Sequence, residues 1–114
     1  MQWLQQHWLP EELCHGDMLR RYVKHAGPEF DWGRAYAAFM EEYSQLCQLE
    51  ALESSRGLEL AGRCVVEMGT STYYEAIRDM SEEPVLKQLA GLIRCDEIRH
   101  CACPAGVAPR PSAR

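Results

Sequence analysis

The sequence predicts an all-α fold, and three observations carry that reading. Apolar residues recur at three- and four-residue steps in each segment, and no stretch shows the two-residue alternation of a strand. Glycine and proline punctuate the chain between segments, at Gly27-Pro28, Gly57, Pro84 and after Cys103. The 114 residues suffice for one small domain, and 46% hydrophobic with 25% charged residues is an ordinary globular balance.

The first helix is predicted over residues 11–24, with Trp8, Glu12, His15, Leu19 and Tyr22 along one stripe. The second is predicted over residues 32–49. Asp31 is its N-cap, and Tyr36, Phe39, Met40, Tyr43 and Leu46 form its apolar face. The third covers residues 58–80 and the fourth residues 82–101. Ser81 with Glu83-Pro84 supplies the fourth helix with a capping hydroxyl, first-turn acids and a proline where no N–H is needed. The closing "CPAGVAPRPSAR" holds three prolines among small residues. Residues 1–103 are therefore expected to form a partial helical domain, and residues 104–114 a disordered tail.

A net charge of −5 argues against nucleic acid as a partner, because phosphate binding needs a basic face. No apolar run approaches the ~18 residues that would span a bilayer, so no membrane partner is expected. "MQWLQQHWLP" lacks the basic and apolar regions of a secretory signal, which points to a cytoplasmic protein with reduced thiols. Cys14, Cys64 and Cys95 are expected to act as small buried hydrophobes, and Met40, Met68 and Met80 to fill gaps. "CAC" at Cys101 and Cys103 is not zinc-ligand spacing.

Three helices place charged groups where core should be. On the fourth, Leu86, Leu89, Ile93, Glu97 and His100 share a face, so Glu97 and His100 continue the buried stripe. On the first, Glu12 and His15 lie between Trp8 and Leu19. On the third, Leu60 and Cys64 lead to Glu67, then Thr70 and Tyr74. A buried carboxylate must neutralise, pair or bind a metal, and one common metal centre would resolve all five groups.

The spacing suits that chemistry. Glu and His at i and i+3 stand about one helical turn apart, so the carboxylate can bridge two metals while the imidazole caps one. Two such helices, with a Glu from each of two others, make a di-iron or di-manganese site. Carboxylate and imidazole donors without thiolate favour iron or manganese over structural zinc. Glu11 and Asp96, each preceding a motif glutamate, are placed to hold the N–H of the opposite helix's histidine.

These residues resemble the ferritin-like di-iron carboxylate proteins, most closely the soluble acyl-carrier-protein desaturase branch and its bacterial relatives. The resemblance rests on "EELCHGD" (11–17), "EMGTSTYYEAIRD" (67–79) and "EPVLKQLAGLIRCDEIRH" (83–100), and is weakest between Pro28 and Gly57. It implies Glu12 and Glu97 as bridging carboxylates, His15 and His100 as terminal imidazoles, and Glu67 as a terminal carboxylate. Thr70 would carry a catalytic hydroxyl on the oxygen-binding side, and Glu11 and Asp96 would orient the histidines. It further implies two Fe2+ ions (or manganese), an acyl-carrier protein, a ferredoxin-type electron donor and oxygen-dependent oxidation of an acyl chain.

Three departures set the remaining expectations. The family's opening helix, which carries a sixth ligand, is absent from the sequence; Pro10 starts or kinks the first helix; Pro104 stops the last one early. The expected fold is thus an incomplete ferritin-like bundle, impaired in catalysis and exposing an apolar seam on residues 58–80 that a homodimer would cover. The alternatives are a non-catalytic helical remnant that binds a metal or partner, and another ferritin-like di-iron enzyme, an N-oxygenase or ferroxidase. His7 and His25 are expected in solvent, and Tyr73 and Tyr74 in packing rather than redox roles. Arg99 would meet either a carrier-protein phosphate or Glu11.

Overall fold

The computed structural model describes residues 3–46 and 55–102. Four α-helices run in order: α1 Leu9–Ala26, α2 Trp32–Leu46, α3 Arg56–Met80 and α4 Pro84–Ala102. No strand occurs among the described residues, as the periodicity predicts. Residues 47–54 and 103–114, which include the end of the predicted second helix and the predicted tail, lie outside the described residues.

The chain is already helical before α1. A π turn, Leu4–Trp8, leads directly into it, so the helix does not start at Glu11 as predicted. Pro10 offers no N–H, and its ring would press on the carbonyl one turn back. The wider π turn accommodates both effects without a break. It also brings Trp8 over α3.

Asp31 caps α2 as predicted, accepting from the Arg34 N–H at 3.0 Å. Ser55 caps α3 through the Leu58 N–H at 3.2 Å. The start of α4 departs from expectation. Glu83 rather than Ser81 takes the free N–H groups, from Val85 at 3.1 Å and Leu86 at 2.6 Å. A carboxylate there also meets the positive end of the helix dipole, and these N–H groups hold it below the usual carboxylate range. The Ser81 hydroxyl instead accepts from the Glu83 N–H at 3.1 Å, tightening the link between α3 and α4.

That short link makes α3 and α4 an antiparallel pair, and α1 lies against α4. The apolar centre among the described residues is small: Leu89, Ala90 and Ile93, all on α4. The other buried residues are His15, Glu67, Glu97 and His100. The middle of the fold is therefore a polar cluster with an apolar floor.

Tyr36, Phe39, Met40, Tyr43 and Leu46 form the amphipathic face predicted, yet all are exposed. The helix touches α1, and this face is left open to solvent over most of its length. Leu58, Val65, Val66, Met68, Tyr73 and Met80 on α3 are exposed as well, the seam expected of that helix. Met68 and Met80 consequently fill no gaps, and Cys14 and Cys95 are exposed rather than buried. His7 and His25 are exposed, as expected.

Candidate metal centre

Each helix delivers its polar group by the same device, one turn of spacing along a stripe that faces the other helices. On α4 the run Leu89, Ile93, Glu97, His100 is buried throughout, so the apolar half fixes where the polar half points. On α3, Glu67 is the buried residue and Thr70 follows one turn later. On α1, His15 is buried and Glu12 half-buried.

Glu12, Glu67, Glu97 and His100 place one donor atom each within 4.8 Å of one another. His15 joins from the far side of Glu97. The two carboxylates of the paired motifs each divide their oxygens between the two imidazoles. Glu12 turns Oε1 to His100 Nδ1 at 3.0 Å and Oε2 to His15 Nδ1 at 3.9 Å. Glu97 turns Oε1 to His15 Nδ1 at 3.4 Å and Oε2 to His100 Nδ1 at 3.9 Å. Glu67 Oε2 approaches the His100 side, 3.7 Å from Nδ1. Two donor pockets result, joined by Glu12 and Glu97 and ended by one histidine each.

The opposite nitrogens are anchored crosswise. His15 Nε2 on α1 lies 2.9 Å from Asp96 Oδ2 on α4, and His100 Nε2 on α4 lies 2.8 Å from Glu11 Oε2 on α1. In the neutral ring, donation of Nε2–H to the carboxylate leaves Nδ1 as a lone pair aimed inward. Arg99 ties the two acids together, donating to Asp96 and to Glu11 at 3.3 Å. Of the two partners expected for Arg99, Glu11 is the one the fold supplies.

The inward atoms have no partner. Glu12 Oε1, His15 Nδ1 and His100 Nδ1 are buried without a hydrogen bond. Glu12 Oε1 and His100 Nδ1 lie close but are not aligned for a hydrogen bond. Glu12 and His100 both belong to the set of donors within 4.8 Å, which is how ligands of one cation sit. Buried polar atoms are otherwise almost always satisfied, and each orphan costs about 1–3 kcal/mol.

Charge gives the same answer. Glu11, Glu12, Glu67, Glu97 and Asp96 face two imidazoles and one guanidinium, so the cluster stays acidic even with both histidines protonated. Burial, reinforced by Glu97, pushes the Glu67 carboxyl up, while the Trp8 N–H and His100 work against that rise. Burial acts on Glu97 in the same sense but is overcome by His15, Glu67 and Thr70, which hold it well below the usual carboxylate range. Burial disfavours a charged His100, yet the facing carboxylates of Glu12 and Glu11 push it up to about 9. His15 is also raised, burial being outweighed by Glu97, Asp96 and Glu12. A cation in this space would relieve the strain that protons now relieve.

Thr70 Oγ1 lies 3.0 Å from Glu97 Oε2 and 2.9 Å from the Glu67 carbonyl, at the edge of the His100 pocket. Tyr74 is half-buried, and burial with the charges of Glu97 and Glu12 raises its phenol; Tyr73 turns outward.

One contact was not read from the sequence. Trp8 Nε1–H donates to Glu67 Oε1 at 3.0 Å, and the Arg63 guanidinium lies over the indole at 4.7 Å. Trp8 stood in the stripe as an apolar residue, and its polar edge carried no separate signal.

The chain matches no protein-family model, and no similar curated protein or solved structure is found.

Proposed function

We propose that the cluster is a carboxylate-bridged dinuclear metal centre, with iron as its metal and manganese as the nearest substitute. The observation that supports this reading most is the pair of inward, unpartnered Nδ1 atoms, each held by an acid on the opposite helix and sharing Glu12 and Glu97. Glu12 and Glu97 would be shared by the two ions, His15 and His100 would each hold one, and Glu67 would complete the His100 side. The donors are oxygen and imidazole nitrogen, which suit iron and manganese. When bound by these residues, iron would supply the chemistry of dioxygen reduction.

The fold proposed around it is a ferritin-like arrangement, in which α1 and α4 carry the paired Glu-x-x-His motifs and α3 the single Glu. The reaction class is oxygen-dependent oxidation of an acyl chain on a carrier protein, with a ferredoxin-type donor. Thr70, bonded to Glu97, would hold a proton on the oxygen-binding side of the centre. Among the described residues the His15 side has no terminal carboxylate to match Glu67, and turnover by this chain is accordingly impaired. The purified chain, loaded with Fe2+ and given acyl-carrier-protein thioester, reductant and oxygen, should bind metal and yield no oxidised acyl product. Stoichiometric product would refute the impairment; failure to bind iron would refute the centre.

A second reading has an observation of its own. The exposed aromatic face of α2 suits a partner, or a second copy of the chain, better than solvent. A non-catalytic metal-binding protein would use the same cluster without turnover.

A further inference from the structure

The dithiol formed by Cys64 and Cys101 lies outside the cluster and is used by none of the roles above. Cys64 is on α3, one turn before Glu67, and Cys101 follows His100 on α4. The Cys64 thiol donates to the Cys101 carbonyl at 3.3 Å. That oxygen sits only about 2.4 Å from its own Cα, by standard backbone dimensions. The Cys64 sulfur is thus held against the backbone of Cys101. Both residues are half-buried, so a small oxidant reaches them while the surrounding helices hold them together. Neither is bridged in the structure.

A disulfide needs Cα atoms within about 7 Å and side chains that point toward each other. The Cys64 sulfur, hydrogen-bonded to the carbonyl of Cys101 on the adjacent antiparallel helix, sets the two residues side by side. The closed loop, residues 64–101, takes in the whole turn between α3 and α4.

We propose that Cys64 and Cys101 form an oxidation-sensitive pair that peroxide converts to an intramolecular disulfide across α3 and α4. One thiolate attacks hydrogen peroxide, giving a sulfenic acid and water. The second thiol then attacks that sulfur, forming the S–S bond and releasing a second water. Two electrons leave the sulfurs and reduce the peroxide. The bond would fasten the last turn of α4, the turn that holds His100, to α3.

Treatment of the full chain with hydrogen peroxide, followed by digestion and mass spectrometry without reduction, tests this directly. The expected product joins the Cys64 and Cys101 peptides with the loss of two hydrogens, and a thiol reductant reverses it. In Cys101→Ser, Cys64 should stop at a sulfenic acid that dimedone traps, with the helical circular dichroism unchanged. Preferential joining of Cys64 to a different cysteine, or independent over-oxidation of the two sulfurs, would overturn the proposal. The readout is covalent and needs no bound metal, so it stands or falls separately from the metal centre.

Discussion

The indole N–H of Trp8 donates to Glu67 Oε1 at 3.0 Å, leaving Glu67 Oε2 facing His100. This bond fixes which oxygen of Glu67 is available to the cluster. It depends on the π turn that carries Trp8 over α3 from the start of α1.

Trp8→Phe keeps the ring under Arg63 and removes the donor. A hydrogen bond to a carboxylate of this kind is worth about 1.5–3 kcal/mol, and partners behind ligands typically change metal affinity by ~10–100-fold. The variant should bind metal more weakly at the His100 side while keeping its helix content, as checked by metal titration beside circular dichroism.

Asp96→Asn and Glu11→Gln probe the crossed anchors. Each leaves a hydrogen-bonding group of the same shape but removes the charge that sets the histidine's tautomer. Asp96→Asn should weaken the His15 side and Glu11→Gln the His100 side, each by ~10–100-fold in affinity. Equal loss at both sides from either change would mean that the anchors act through the fold and not through their own histidines.

How much of this could be read from the sequence depends on where the signal lay. The polar stripe on α4 was legible because Leu89 and Ile93 fix the face, and Glu97 and His100 follow at the same step. The paired Glu-x-x-His spacing placed Glu12 and His15, and the Leu60–Cys64 stripe placed Glu67, for the same reason; all of them meet in space. The exposure of the α2 face was not legible. Its apolar step is as regular as that of α4, but periodicity states which residues share a face and not whether anything covers it. The roles of Trp8 and Glu83 were missed because both depend on backbone geometry, a π turn and a helix start, that residue type alone does not specify.

The metal-free chain should lose stability as pH rises from 6.5 to about 9. His100 is raised from its ordinary 6.5 to about 9, so the folded state holds that proton more tightly than the unfolded one. Its contribution is fully present below 6.5 and is lost as pH passes the raised value. Glu67, also raised, works in the same direction from its ordinary 4.5 upward. Glu97, lowered, acts oppositely but in the acid range. Metal competes with these same protons, so its affinity should rise across that window. Thermal melts with chelator, and metal titrations, at constant ionic strength across this range check both slopes.

Ile93 is fully buried beneath the cluster, next to Leu89 and Ala90. Ile93→Ala should cost about 2–4 kcal/mol, because a cavity under Glu97 is closed by few other apolar groups. Chemical denaturation of the metal-free chain measures it. Leu92→Ala, on the exposed face of the same helix, should stay near ~0.5 kcal/mol.

The most direct measurement is an anaerobic Fe2+ titration of the chain with elemental analysis and magnetic spectroscopy. Shared Glu12 and Glu97 predict two irons per chain, magnetically coupled, with the coupling lost in Glu97→Ala. No stoichiometric iron, or binding with no coupling between the ions, would contradict the bridged centre.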